Sequence, residues 1–364
     1  MLALATKRFN QILSFVATHE RKIGAGLFAF GFLTDLLTFT LLPLPYINIF
    51  FASYLLLVAV CAFGANLIPK LNLRDSWWKK TLAVLFPLGV QYALGGLLSG
   101  FVVFYAAHSV IAVSWPFILL LGAVYFGNEY FRKKRDHLIF QTILFYFALY
   151  AYLIFALPFY LGTIGPWVFL GSTILTILIF AVFLFLISLI NKEKTDSYLL
   201  RIGQIAGGVT FAIVGAYFVG AIPPIPLALS HAGVYQSLYR SGDSYYLEKE
   251  SKEWWQILDT SVSVPRGSSL YAFSAVKAPT TFGSTVVHRW ERKRESDGKW
   301  VTMSKIAFPI HGGRTEGYRG YSLKENVEAG EWRVSIETKN GQVIGRVGFS
   351  VVYGAPETLT QEVR

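Results

Sequence analysis

Charged residues are scarce in this sequence. Asp, Glu, Lys and Arg make up 15% of its 364 residues, against about 25% in ordinary soluble proteins. The shortage is concentrated in residues 23–222, which run apolar for long stretches, whereas residues 230–364 have the composition of a soluble domain. An entirely soluble protein is therefore excluded, and lipid is the expected solvent for the first part of the chain.

Cysteine is almost absent. Cys61 is the single one, and it lies within an apolar run. No disulfide can form within the chain, so a domain outside the cytoplasm has to be stabilised by its hydrophobic core alone. Residues 230–364 are numerous enough to bury such a core.

Seven segments are long and apolar enough to cross a bilayer as helices, which takes about 20 residues each. They are residues 23–42, 47–68, 82–105, 110–126, 138–160, 167–190 and 205–222. The fourth is short, and we expect Pro116 to interrupt it. The sequence therefore predicts a membrane all-α bundle of about seven transmembrane helices over residues 23–222.

Basic residues occur only in alternate loops of this bundle. All fifteen Lys and Arg before residue 230 precede the first segment or follow the second, fourth and sixth, and the other loops contain none. This positive-inside pattern predicts a cytoplasmic N-terminus and, after seven spans, an extracytoplasmic domain at residues 230–364. It also explains the net charge of +11, and we expect no nucleic acid as a partner.

The first 22 residues do not read as a cleaved signal peptide, because Asn10 and Gln11 interrupt them. Phe9, Ile12 and Val16 share one helical face, since they follow a spacing of three and four residues. We predict that residues 1–22 form a short amphipathic helix on the cytoplasmic surface of the membrane.

Few polar residues interrupt the spans. Asp35 lies in the outer half of the first span, and we expect its neighbours at a similar depth to be Asn48, Gln91 and His108. Glu129 lies near the cytoplasmic end of the fourth span. Such groups either form hydrogen bonds between helices or mark a ligand or proton site, and the sequence leaves both alternatives open.

The C-terminal part alternates between apolar and polar residues, which is typical of β-strands. Residues 223–229 contain three prolines, which we expect to end the last helix and to form a stiff exit. From residue 230 onward we count about eight strands, separated by turn sequences such as Asn340-Gly341. The expected fold is an all-β immunoglobulin-like sandwich.

One glycine-rich segment with arginines and aromatic residues is the candidate ligand site of this domain. Glycines allow close approach of the backbone, arginines bind carboxylate or phosphate, and aromatic rings provide stacking faces. The candidate residues are His288, Trp290, Gly312, Gly313, Arg314, Tyr318, Arg319, Trp332 and Arg333. Such a segment suits an anionic sugar or a lipid headgroup. The alternative is an irregular strand connection in which arginines stack on tryptophans for structural reasons.

Motifs of hydrolytic enzymes are missing from the sequence. It contains neither G-x-S-x-G nor H-E-x-x-H. His231, His288 and His311 lack the spacing of metal ligands, and alternation with Val286 and Trp290 suggests that His288 is a half-buried sheet residue. We therefore expect no metal and no cofactor, and we favour binding over catalysis.

Five short motifs resemble the bacterial domain of unknown function 2914. They are HRW at 288–290, GGR at 312–314, GYRGYS at 317–322, GEWRV at 330–334 and GQVIGR at 341–346. The helical half is similar to the multi-span region attached to that domain in some bacteria, through FLTDLLT at 32–38 and SWPF at 114–117, although LLPL at 41–44 lacks an expected polar pair. The resemblance implies a bacterial plasma membrane and supplies no activity.

Two hypotheses follow for the function. The first is an envelope binding or scaffolding protein whose outer domain engages a glycan, a lipid headgroup, a peptide or another protein. The second is a small transporter or lipid-handling membrane enzyme that works around Asp35, because seven spans are more than an anchor requires. A polar cavity around Asp35 would favour the second hypothesis.

Overall fold

A computed structural model gives the architecture of the chain. It describes residues 33–39, 42–71, 77–107, 111–131, 137–190, 195–251, 260–279, 282–312, 316–356 and 358–364. The predicted amphipathic helix at residues 1–22 lies outside the described residues. The chain divides into two compact units, Met1–Ala107 with Leu121–His137, and His108–Leu120 with Leu138–Arg364.

Helices make up the N-terminal part of the chain. They are α1 (33–39), α2 (Leu44–Leu67), α3 (Trp77–Ala107), α4 (Ile111–Phe131), α5 (His137–Leu161), α6 (Pro166–Ile190) and α7 (Thr195–Phe218). A short 3₁₀ turn, Ile68–Lys70, follows α2.

Five helices in the described residues are long and apolar enough to cross a membrane. They are Leu44–Lys70, Thr81–Ala106, Ile139–Leu161, Pro166–Ile190 and Tyr198–Phe218. They coincide with the second, third, fifth, sixth and seventh predicted spans. The described part of α4 contains only a shorter apolar helix, Ser114–Tyr125, and most of the first span lies outside the described residues. The number of seven spans therefore stays a prediction.

Two expectations about proline were wrong. Helix α4 continues through Pro116, because membrane helices tolerate proline when neighbouring groups satisfy the freed carbonyl. Helix α7 ends at Phe218, before the prolines of the exit segment. Gly220, with φ of 76°, ends it by letting the amide of Ala221 donate to the carbonyl of Ala216, which is a Schellman-type stop.

In the first unit, glycines allow α2 and α3 to pack closely. A Cβ atom at Gly96 would lie 2.8 Å from the ring of Tyr54, and one at Gly100 would lie 2.8 Å from the ring of Phe51. These two glycines form the small-x-x-x-small spacing that is common between membrane helices. A Cβ at Gly95, by contrast, would meet no atom within 4 Å in the described residues.

In the second unit, hydroxyl groups join the helices. Tyr150 Oη and Thr173 Oγ1 are 2.7 Å apart between α5 and α6, and Tyr146 Oη and Thr210 Oγ1 are 2.5 Å apart between α5 and α7. Polar pairs of this kind hold helices together in an apolar surrounding, typically by about 0.6 kcal/mol each.

The described residues of the C-terminal part form a β-domain with eleven strands, against about eight predicted. They are β1 (Ala228–Tyr235), β2 (Ser237–Ser241), β3 (Ser244–Glu250), β4 (Ser261–Val264), β5 (Leu270–Lys277), β6 (Gly283–Lys293), β7 (Trp300–His311), β8 (Tyr318–Lys324), β9 (Gly330–Thr338), β10 (Val343–Tyr353) and β11 (Leu359–Val363). The extra strands are short, so the period-two signal has little length over which to appear.

The strands form three sheets, ordered β1-β5-β8, β4-β10-β9-β6-β7 and β11-β3-β2. All strand pairs are antiparallel except β10 with β4. The first two sheets share a core in which Leu270 and Ala272 of β5 pack with Trp290 of β6 and Trp332 of β9. The five-stranded sheet therefore has one buried face and one outer face.

The packing of α2 and α3 can be tested by enlarging one glycine. We expect Gly100→Leu to lower the thermal unfolding midpoint of the full chain in detergent, because overpacking typically costs about 1–3 kcal/mol. Gly95→Leu is the matched control and should leave the midpoint unchanged or raise it slightly. Equal midpoints for the two variants would contradict the close packing at Gly100.

Candidate functional site

The predicted residues on the inner side of β6 and β9 belong to the core. His288 is 0% exposed, its Nε2 lies 2.8 Å from Ser274 Oγ, and its Nδ1 lies 2.9 Å from Ser322 Oγ. The indole of Trp290 donates to the same Ser322 hydroxyl at 3.0 Å, and Trp332 is also buried. A ligand on the surface of the β-domain does not reach these side chains, because sheet β1-β5-β8 covers them.

Burial also fixes the protonation of His288. Desolvation lowers the pKa of its imidazole to about 4. The ring is therefore neutral at neutral pH, with one nitrogen donating and the other accepting a hydrogen bond. His288 was expected to be half-buried and is instead enclosed completely.

The glycines of the predicted loop allow close packing within the β-domain. A Cβ at Gly312 would lie 1.5 Å from the carbonyl oxygen of Pro279, and one at Gly320 would lie 2.2 Å from the ring of Phe308. Both positions therefore require glycine for steric reasons. Gly313 and Arg314 lie outside the described residues.

Arg319 and Tyr318 also have structural contacts. The guanidinium of Arg319 donates to the carbonyl of Asp243 at 2.7 Å and to the carboxylate of Glu316 at 3.1 Å. Tyr318 packs against the core cluster that contains Val276 and lies edge-on to His311. These contacts match the alternative interpretation of the loop as an irregular strand connection.

The outer face of the five-stranded sheet brings charged residues together. Strand register aligns Lys305, Arg289, Ser335 and Arg346 in one row across β7, β6, β9 and β10. Glu291 and Arg333 pair in the next row toward one end of the strands, and Glu337 lies in the row toward the other end. We name this set the arginine face; it consists of Arg289, Glu291, Lys305, Arg333, Ser335, Glu337 and Arg346.

Glu291 is buried within the arginine face and is 4% exposed. Arg333 binds it through two parallel hydrogen bonds, Nε to Oε2 at 2.7 Å and Nη2 to Oε1 at 3.1 Å. Ser335 donates to the same carboxylate at 3.3 Å. Burial alone would raise the pKa of Glu291, but Arg333 and Arg289 hold it below its ordinary value. The carboxylate is therefore charged at neutral pH.

Glu337 is the second buried carboxylate, with 3% exposure. Arg289 Nη2 lies 2.5 Å from its Oε1. Burial raises the pKa of Glu337, and the charge of Arg289 offsets only part of that rise. Removing this pair from water therefore carries a desolvation cost that the attraction between the two side chains has to offset.

Arg346 differs from the other two arginines. Its Nε donates to Ser335 Oγ at 3.1 Å, yet no carboxylate of the described residues lies within ion-pair distance of it. Burial and the neighbouring charge of Arg333 lower the pKa of its guanidinium. Arg289, Arg333, Arg346 and Lys305 together exceed the two glutamates by two positive charges, so the face has a surplus that suits an anion.

Sequence reasoning identified Arg333 and missed Arg289 and Arg346. The signal was available in the alternation Arg333-x-Ser335-x-Glu337 and Arg289-x-Glu291, which places opposite charges on one side of adjacent strands. The glycine-rich loop, and not this pattern of charged strand residues, was predicted as the ligand site.

The intramembrane residues are placed only in part. Asp35 of α1 lies near Ser99 of α3 and Tyr54 of α2, although the hydroxyl of Ser99 has no hydrogen-bond partner in the described residues. These two residues were not among the predicted neighbours of Asp35. Asn48 is buried in α2, and Gln91 is half-buried in α3. Glu129 lies in α4, and His108 lies outside the described residues.

Metal-binding clusters and clefts are two further kinds of candidate site in the described residues. In the described residues no three His, Cys, Asp or Glu side chains are grouped to hold a metal. A cleft of about 20 Å³ lies beside Ile154, Phe169, Tyr217 and Gln342 in the second unit, and that volume admits about one water molecule.

The buried imidazole predicts a pH dependence of stability. His288 protonates near pH 6.5 when unfolded but only near pH 4 when folded. Stability should therefore be complete above pH 6.5 and fall as the pH approaches 4, by about 3 kcal/mol in total. Denaturant unfolding of the full chain, followed by tryptophan fluorescence at pH 7.5 and 4.5, measures this loss.

A matched pair of variants assigns that dependence. His288→Gln should remove most of the pH effect, whereas His311→Gln, at an exposed position of β7, should retain it. Equal pH profiles for wild type and His288→Gln would show that another group is responsible.

Several solved structures align with parts of this chain. An immunoglobulin-like protein from Pseudomonas aeruginosa aligns with 35% of this chain and 96% of its own, at 11% identity and a TM-score of 0.21. A β-glucosidase from Listeria innocua in complex with gluconolactone aligns with 31% of this chain and 17% of its own, at 14% identity and a TM-score of 0.19. The alkylpurine DNA glycosylase AlkC of Pseudomonas fluorescens aligns with 77% of this chain and 83% of its own, at 9% identity and a TM-score of 0.23.

These structural likenesses are too weak to support an argument about function. None of the curated proteins matches the chain. A family model does match residues 283–351, which include β6 to β9, most of β10 and every member of the arginine face. The resemblance expected from the five short motifs is thereby confirmed: the C-terminal region of this chain, residues 283–351, matches the family described as protein of unknown function (DUF2914).

Proposed function

We propose that the chain is a bacterial membrane protein whose β-domain binds an anionic ligand of the cell envelope on the arginine face. The observation that carries this proposal is the surplus of two positive charges around two buried carboxylates. Arg289 and Arg333 are held in place by these carboxylates, so little of their side-chain entropy is lost when a ligand binds. This proposal makes the chain a binding protein and not an enzyme.

The fixed geometry of Arg333 supports this role. Its guanidinium is held by Glu291 on one edge and lies 4.3 Å over the ring of Trp300. A guanidinium fixed by a carboxylate and an aromatic ring presents its remaining donors in one direction. Arg346, which lacks a carboxylate partner in the described part of the chain, adds charge beside it.

The second hypothesis, transport or lipid chemistry around Asp35, receives no comparable support. Asp35 lies near Ser99 and Tyr54, and polar residues placed between helices often serve to hold a bundle together. The helices then serve as the anchor, and the β-domain carries the function.

Binding can be measured with heparin as a polyanionic probe. We expect the full chain in detergent to bind it with an affinity that falls as salt is added, because exposed charges are screened. Arg346→Gln should weaken binding about tenfold or more, since a hydrogen bond to a charged group contributes about 1.5–3 kcal/mol.

The control is Arg294→Gln, which removes an exposed arginine that pairs with Asp297 in a hairpin turn. This variant should bind heparin like the wild type. Equal weakening by the two substitutions would indicate an unspecific effect of net charge and would contradict a site on the arginine face.

We also propose the orientation in the membrane, with the N-terminus in the cytoplasm and residues 230–364 outside. The support is the restriction of basic residues to alternate loops. An alkaline phosphatase fusion at residue 230 should be active, and one at residue 136 should be inactive. The opposite result at residue 230 would refute the orientation.

A further inference from the structure

We propose that the end of the β-domain that contacts the helices lies on the lipid headgroups of the adjacent leaflet and binds anionic phospholipids through Lys277 and Lys339. This inference rests on the membrane insertion of α5, α6 and α7 in the proposed function, but not on anion binding by the arginine face. It names a second interaction surface and its partner, a bilayer that contains anionic lipid.

Exposed aromatic residues mark the level at which these helices leave the membrane. Tyr160, at the end of α5, is 67% exposed, and Trp167, at the start of α6, is 84% exposed. Tyrosine and tryptophan are enriched at membrane–water interfaces, because one part of each ring is apolar and the other is polar. The loop at residues 162–165, which joins α5 to α6, therefore lies in the headgroup layer.

The β-domain contacts this loop directly. The amide of Gly283, at the start of β6, donates to the carbonyl of Gly162 at 3.2 Å, and a Cβ at Gly165 would lie 3.3 Å from the side-chain nitrogen of Asn340. Ile164 packs on the core cluster to which β6, β7, β9 and β10 contribute. We name this end of the β-domain the base; it contains the start of β6 and the turn between β9 and β10, and these contacts hold it at the level of the headgroups.

Two lysines lie at the base. Lys339 is exposed in the turn between β9 and β10. Lys277 is exposed at the end of β5, where its register partner Ala228 begins β1 after the exit from α7. Neither lysine forms an ion pair with another described residue. Glu316, just before β8, is paired with Arg319, so it does not cancel the charge of the lysines.

Lysines in this position favour anionic lipid. Each lysine close to an anionic membrane surface favours binding about fivefold, which corresponds to about 1 kcal/mol. The helices already hold the base at the surface, so the lysines meet headgroups at a high local concentration. The arginine face is a separate surface, because Arg289 lies six residues beyond Gly283, about 20 Å along β6.

The position of the base can be measured by fluorescence quenching in vesicles of phosphatidylcholine with a headgroup-spin-labelled lipid. Cys61 is replaced by alanine, and a fluorophore is attached to the full chain through His311→Cys or Asp297→Cys. Residue 311 is exposed and pairs with Gly283 at the base, whereas residue 297 lies in the turn at the other end of β6, about 34 Å away along the strand. We expect at least threefold stronger quenching at residue 311. Equal quenching at the two positions would overturn the inference.

The contribution of the lysines is measured with the label at residue 311. Spin-labelled phosphatidylglycerol should quench it at least threefold more strongly than spin-labelled phosphatidylcholine at the same mole fraction, and added salt should reduce this ratio. Lys277→Gln combined with Lys339→Gln should bring the ratio close to one. Lys299→Gln is the matched control, since Lys299 is exposed in the turn at the other end of the sheet, and it should keep the ratio. An unchanged ratio in the double variant would refute lipid binding by the lysines.

The outcomes separate this inference from the proposed function. If quenching is equal at residues 311 and 297 while Arg346→Gln still weakens heparin binding, the lipid contact is refuted and the anion-binding face stands. If alkaline carbonate extracts the full chain from the vesicles, membrane insertion is refuted, and this inference is refuted with it.

Discussion

The outer face of the β-domain depends on the burial of two carboxylates. Removing Glu291 and Glu337 from water is costly, and the cost is offset only where a cation lies close and the remaining oxygens find donors. For Glu291, Arg333 supplies the positive charge and Ser335 supplies a further hydrogen-bond donor; for Glu337, Arg289 supplies the positive charge. The positions of Arg289 and Arg333 are therefore set by the carboxylates.

Strand β6 buries a polar side chain on each of its two faces, and the two side chains are stabilised differently. On the inner face, His288 is neutral and forms hydrogen bonds to two serines, so no charge enters the core. On the outer face, Glu291 keeps its charge and is compensated by arginine. A neutral network suits a core that has to exclude water, and an ionic network suits a face that has to meet a charged partner.

Hydropathy and periodicity predicted the larger features of this chain. Long apolar runs predicted the five helices that the structure describes as long enough to cross a membrane. The length of an uninterrupted apolar run is itself the property that a membrane-spanning helix requires. Alternation identified which residues of β6 and β9 share a side. It could not tell which side is covered, since that depends on strands β1, β5 and β8, which are distant in sequence. The burial of His288 and Trp290 therefore could not be predicted from alternation.

The same limitation explains the missing arginines. Arg289, Arg333 and Arg346 lie on three strands that are adjacent only through sheet order, and Arg346 has no charged partner near it in sequence. The glycines, in contrast, were given more weight than the structure supports. Gly312 and Gly320 lie in a conspicuous loop, but the structure requires glycine there for packing. The steric surroundings of a glycine, and not the number of glycines in a segment, show whether its role is structural.

Anchoring changes what such a site needs to achieve. A shallow face with two unpaired charges binds a single anion weakly in water, because each exposed contact is screened and hydrated. If the β-domain stands at the outer membrane surface as proposed, it encounters envelope anions at a high local concentration, and repeated contacts of moderate affinity add up. Under the proposed function, a site of moderate affinity is therefore sufficient, because the helices and the ligand are confined to the same surface.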